Sequence, residues 1–144
     1  MPMKILTIAT ACLVDETGRL LTVRKRGTLH FMLPGGKAEP GETPRATVLR
    51  EVAEELGLVL EGEHLELLGL FEARAANEPD HWVRADVFVV PVTRAIREGQ
   101  IRAQAEIEAL QWIDPLAPPD GPLAPLLRDR ILPVLRKRLA VTAF

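Results

Sequence analysis

The chain of 144 residues holds a single cysteine, Cys12, which rules out an intramolecular disulfide and any zinc cluster built from thiolates. It has no excess of charge either: the net of −2 gives no general attraction to nucleic-acid backbones or to acidic surfaces. No apolar run approaches the ~18 residues of a membrane span. The run Ile5–Val14 behind Lys4 resembles a secretion signal in hydropathy alone. It is rich in β-branched residues, however, and ends in the turn Asp15-Glu16-Thr17-Gly18, so a β-hairpin explains it better. Repeats, low-complexity tracts and linkers are lacking too. These absences leave an ordinary cytoplasmic protein of one domain, residues 1–144, acting on small molecules as a monomer or homodimer, without nucleic acid or membrane.

What is present is a foldable core. Hydrophobic residues make up 47% of the chain and charged residues 26%, and a domain of this size buries roughly 70% of its unfolded surface. Strands are predicted at Ile5–Val14, Leu20–Lys25, Leu65–Ala75, Val83–Val92 and Glu108–Ile113. A polar turn, Asn77-Glu78-Pro79-Asp80, separates the third from the fourth. Breakers fill residues 27–40, after which Thr43 reads as a helix N-cap, Pro44 as the first helical residue and Gly57 as the residue just past the end. Leu123, Leu126, Leu127, Ile131, Val134, Leu135 and Leu139 recur at helical spacing, and Pro133 is expected to kink or split that C-terminal helix. Strands interleaved with two helices indicate an α/β layer architecture on a mixed sheet.

The chemistry lies on the helix Pro44–Leu56. At ~100° per residue, Ala46, Leu49, Val52, Ala53 and Leu56 form an apolar arc, and Glu51, Glu54 and Glu55 gather on the opposite side. Like charges at these spacings repel, and a hard divalent cation reverses the sign. A solvated helix face accounts for most glutamate pairs. Here Arg50 stands beside the carboxylates with a fork suited to holding one, Glu42 precedes the helix, and the bare backbone of Gly35-Gly36 comes near.

Residues 36–58, from Gly36 through Glu42, Arg50, Glu51, Val52, Glu54, Glu55 and Gly57 to Leu58, resemble the Nudix box of the MutT-like Nudix hydrolases at every defining position. Phe31 stands where a tryptophan is common, two residues before Leu33-Pro34-Gly35. The resemblance implies an α/β/α sandwich with a central mixed sheet and the catalytic loop and helix on one side. It implies Mg²⁺, with Mn²⁺ as substitute, held by Glu51, Glu54, Glu55, the Gly35 carbonyl and Glu106 from outside the box. Glu108 is the alternative to Glu106, because strand alternation puts both on one face. It casts Glu51 as first choice for general base, Glu54 or Glu106 in reserve, Arg50 and Glu42 as the orienting pair, and Gly36 and Gly57 as structural.

The implied reaction is hydrolysis of a nucleoside diphosphate linked to another group. The chain has no tyrosine after the box, no proline in the Leu70–Ala76 region, and an imperfect fit to the coenzyme A pattern upstream. By elimination the substrate is a nucleoside triphosphate or modified nucleotide, cleaved to the monophosphate and pyrophosphate. Arg24, Lys25, Arg26 and Lys37 are candidates to steer it, and Phe31, His81 and Trp82 to touch a base; ordinary surface charge and packing explain these residues as well. Rival readings are a non-catalytic nucleotide-sensing module, a hydrolase of non-nucleotide diphosphates, and an isomerase on the same scaffold. The complete box argues against the first, and Cys12, read as a buried small residue, against the last.

Overall fold

Leu6, Ile8, Thr10, Cys12 and Val14 alternate along β1 (Lys4–Asp15) with Ala9, Ala11 and Leu13, and both faces of its C-terminal half are covered. These coordinates come from a computed structural model that describes residues 4–76, 78–93 and 101–142; Asn77 of the expected turn lies outside them. β1 is central because it has partners on both edges. It runs parallel to β5 (His81–Val92) along its whole length, from Lys4 opposite His81 to Asp15 opposite Val92. On its other edge it pairs antiparallel with β2 (Leu20–Lys25) at the turn and with β3 (Gly35–Lys37) through Ile8, Ala9 and Thr10. The strand order is β4 (Glu66–Arg74), β5, β1, β2, β6 (Ile107–Ile113), with β3 on β1. The sheet is therefore mixed, as expected.

The expected hairpin closes at Asp15, whose Oδ1 accepts from the backbone N–H groups of Thr17 at 2.9 Å and Arg19 at 3.0 Å. Beyond Val14 opposite Leu20, β2 takes β6 as its partner along its length.

Helix α1 (Pro44–Leu56) has the predicted ends. The Thr43 side chain accepts from Ala46 N–H, and Gly57 adopts φ 65°, a left-handed cap that suits glycine. Its buried face differs from the expected arc. Val52 and Leu56 are buried, but their companions are Thr47, Val48 and Glu55 rather than Ala46, Leu49 and Ala53. The helix is covered on two sides, by the sheet and by the loop 33–37, so its buried arc takes in a carboxylate. Val48, Val52 and Leu56 pack on Ala9, Ala11, Leu13, Leu21 and Val23, each contributing about 1.5–3 kcal/mol by leaving water.

The second core lies on the opposite face of the sheet, where Cys12, Ala85 and Val87 meet Leu126, Leu127, Ile131 and Leu135. The C-terminal helix runs unbroken through Pro133 and changes form just before it. A wide π-type segment, Leu126–Ile131, precedes α2 (Leu132–Thr142), and the Leu132 N–H reaches back five residues to the Leu127 carbonyl. Proline lacks the next donor and crowds the turn before it, which the wide turn accommodates. Helices on both faces of the sheet make the α/β/α sandwich. Among the described residues no helix is long and apolar enough to cross a membrane.

Candidate active site

Gly35 makes the site possible. Its φ is +148°, and a Cβ there would lie 2.2 Å from the Ala9 carbonyl oxygen, so the loop approaches β1 as only glycine allows. This close approach presents the Gly35 N–H to Glu55, whose Oε1 accepts it at 2.9 Å in a buried setting. The other oxygen, Glu55 Oε2, is buried without a hydrogen-bond partner among the described residues. Glu55 is only 2% exposed, not on the solvated face where helical spacing puts it. Burial pushes its pKa up to about 8, against the opposing pull of the Gly35 hydrogen bond.

Gly36 leaves room for the next carboxylate. A Cβ on Gly36 would stand 2.7 Å from the Glu51 carboxyl carbon and from its Oε1. Burial raises the Glu51 pKa, while Arg50 opposes the rise through a hydrogen bond from Nη1 to Oε1 of 2.8 Å. The same guanidinium grips Glu42 with both arms of its fork, Nε to Oε2 at 2.7 Å and Nη2 to Oε1 at 2.9 Å, and donates to the Lys37 carbonyl at 3.0 Å. Arg50 first, then the Glu39 N–H, pull the Glu42 pKa down to about 2, and the Thr47 hydroxyl adds a fourth hydrogen bond to the carboxylate. Arg50 and Glu42 thus tie the helix to the loop. Glu54 stands half-exposed, 3.5 Å from Arg50.

Gly35, Gly36, Lys37 and Glu51 line a cavity of about 520 Å³, within the range of small-molecule sites; Glu42, Arg50, Glu54 and Glu55 stand behind them, off its lining. Its lining carries Glu51, Gly35, Gly36, Lys37, Lys25, Glu106, Arg74 and Glu78 together with the apolar Leu6, Ile8, Val83, Leu126, Leu127 and Ile131. The structure separates the two outlying glutamates that strand alternation left equivalent. Glu106 lies on the cavity wall, 3.4 Å from Lys25, whereas Glu108 is off it and holds Arg24 at 3.1 Å. Arg24 also donates to the Thr28 carbonyl and lies 5.8 Å over the Phe31 ring. Of the residues expected to steer or touch substrate, Lys25 and Lys37 line the cavity; Arg24, Arg26 and Phe31 do not. His81 and Trp82 are off the wall too. Among the described residues, no three His, Cys, Asp or Glu side chains stand together in metal-holding geometry.

Sequence reading missed Thr10, Arg74 and the apolar residues, all on the cavity wall. The one available signal was Thr10 itself, a polar residue in a period-2 slot between Ile8 and Cys12. Cys12 is buried as expected, and burial pushes its thiol up to about 12.

The family model of the NUDIX domain matches residues 4–135 of this chain. The chain belongs to the NUDIX family. A MutT-like protein of Streptomyces ambofaciens is 34% identical over 71% of this chain and 59% of its own length. The 8-oxo-dGTP diphosphatase of Escherichia coli is 34% identical over 56% of this chain and 62% of its own. The chain thus spans about three fifths of each of these curated relatives. The crystal structure of a MutT NUDIX hydrolase from Burkholderia pseudomallei matches 92% of this chain and 97% of its own, with a TM-score of 0.70 and 25% identity. NUDIX hydrolases act on nucleoside diphosphate-linked substrates and generally need divalent metal ions.

Proposed function

We propose that this chain is a Mg²⁺-dependent pyrophosphohydrolase that converts a nucleoside triphosphate, or a modified nucleotide, to the monophosphate and pyrophosphate. The observation that carries the reading is the orphaned Oε2 of Glu55, buried beside Gly35. A buried acceptor without a donor is costly, and a hard cation would satisfy it. The donor set fits such an ion: Glu51 and Glu55, with Glu54, the Gly35 carbonyl and Glu106 as further oxygen ligands, are all hard oxygens. Mn²⁺ would substitute. The ion would neutralise phosphate charge and lower the pKa of a bound water.

The chain's own groups supply the rest. Arg50 holds Glu51 by one arm and Glu42 by two, which limits the positions the Glu51 carboxylate can take. Lys25 and Lys37 put positive charge on the cavity lining, where a polyphosphate would lie. Glu51 is the proposed acceptor of the water proton, because it lines the cavity and burial raises its basicity; Glu54 and Glu106 are in reserve. Transfer of a phosphoryl group to water needs positioning and electrostatics more than a covalent intermediate.

A nucleotide panel with Mg²⁺, resolving pyrophosphate from orthophosphate, tests the reading. Pyrophosphate and a monophosphate are expected. Orthophosphate alone, or no turnover of any member, would defeat it.

A further inference from the structure

We propose that Thr10 is a specificity-determining residue whose hydroxyl hydrogen-bonds the polar edge of the substrate's base; this rests on the nucleotide reading above. Thr10 lines the cavity, is 4% exposed, and its Oγ1 has no hydrogen-bond partner among the described residues. Buried hydroxyls are almost always paired in folded proteins, so an orphan on the wall of a cavity points to a ligand as its partner.

The position of Thr10 selects the part of the ligand. It lies opposite Gly35 in the β1–β3 ladder, and its methyl carbon is among the atoms a Cβ on Gly35 would meet. By strand alternation its side chain shares a face with Ile8 and Cys12, away from the α1 side, where Ala9 and Ala11 pack. The cavity lining on that face of the sheet includes Ile8, Val83, Leu127 and Ile131, which suit a flat, weakly polar ring and not a phosphate. Of the cations on the lining, Lys37 follows Gly36, which abuts Glu51, and marks the end suited to phosphates; Lys25 pairs with Glu106, and Arg74 lies at the end of β4. With no aromatic side chain among the lining residues, stacking contributes little to selection. A hydroxyl both donates and accepts, so Thr10 can meet a ring carbonyl or a ring N–H. A site built to hydrogen-bond a polar group rejects ligands that leave its own group unpaired, which makes one hydroxyl an effective discriminator.

The test compares the wild type with Thr10→Val, which keeps the shape and removes the hydroxyl, and Thr10→Ser, which keeps it. Affinity and kcat/KM are measured with Mg²⁺ for the four common nucleoside triphosphates, for their oxidised-base analogues, and for ribose 5-triphosphate, which has no base. Thr10→Val should lose about 10- to 100-fold in affinity and in kcat/KM for the preferred nucleotide, mainly through KM. It should leave ribose 5-triphosphate unchanged, and Thr10→Ser should recover most of the loss. Equal losses on the base-free probe, or no loss on any nucleotide, would overturn the assignment. A wild type that binds nucleotides through Thr10 without hydrolysing them would overturn the hydrolase reading and leave Thr10 standing. A chain that binds none of the panel would overturn both.

Discussion

Glu55 reaches 20 residues back along the chain to accept the Gly35 N–H at 2.9 Å, while its second oxygen is buried with no partner among the described residues. One carboxylate thus fastens helix to loop and keeps an unsatisfied acceptor, which makes it the most informative side chain to change.

Glu55→Gln keeps an oxygen able to accept from Gly35 but removes the charge. Turnover should fall roughly 100-fold or more, as expected for loss of a metal ligand. The melting temperature without metal at pH 7 should hold or rise, because Glu55 must take up a proton on folding at that pH and a neutral amide need not. Near-normal kcat in the folded variant would contradict the ligand assignment.

The pH dependence of stability follows from the same group. Burial raises its pKa from the model-peptide value of 4.5 to about 8 in the folded chain. The folded state therefore binds the proton more tightly than the unfolded state between those values. Metal-free stability should be greatest, as far as Glu55 is concerned, below about 4.5, and should decline by a few kcal/mol as pH rises through about 8. Denaturant titrations in chelator between pH 5 and 8.5 should show this decline, and Glu55→Gln should flatten it. An equal slope in the variant would rule out Glu55 as its source.

Arg50→Ala should lower stability and activity together. Truncation removes two bonds to Glu42, one to Glu51 and one to the Lys37 carbonyl, at a cost of about 2–4 kcal/mol for this partly exposed group. Arg50→Lys should rescue poorly, since an ammonium lacks the fork that spans Glu42. An unchanged melting temperature with lost activity would assign Arg50 to the substrate instead.

The two adjacent glycines should fail in different ways. Gly36→Ala pushes its new methyl against the Glu51 carboxylate, the free end of a flexible side chain, so activity should drop with a small change in melting temperature. Gly35→Ala meets the Ala9 backbone, which has nowhere to go, and combines that clash with a φ of +148°. It should unfold the loop or the chain. Thermal denaturation of the pair beside kcat distinguishes these outcomes, and equal melting temperatures would refute the contrast.

Hydrolysis in ¹⁸O-water identifies the bond that breaks. Attack at the α phosphorus puts label in the nucleoside monophosphate, the outcome expected if Glu51, Glu54, Glu55 and the Gly35 carbonyl hold ions across the inner linkage. Label only in orthophosphate would change the reaction class. Label in pyrophosphate would keep the class and move the attack to the β phosphorus.

The spacing of residues 36–58 was enough to delimit α1, cap it at Thr43 and Gly57, and bring Glu42, Arg50 and Glu51 into one cluster, because these are short-range relationships on a single helix and its lead-in loop. Alternation and turn residues likewise located the long strands, and Pro133 announced the change of form in the last helix. Periodicity around one helix is blind to what covers it. It put Glu55 in solvent, and only the seating of Gly35 against β1 buries that carboxylate. The same limit applies to the cavity: its apolar lining joins β1, β5 and the C-terminal segment, the first and last more than 100 residues apart in the chain, through a parallel pairing of β1 with β5 that no local pattern encodes. Short-range geometry is written in the order of residues, whereas the burial of Glu55 and Thr10 depends on which distant segments the sheet brings to them.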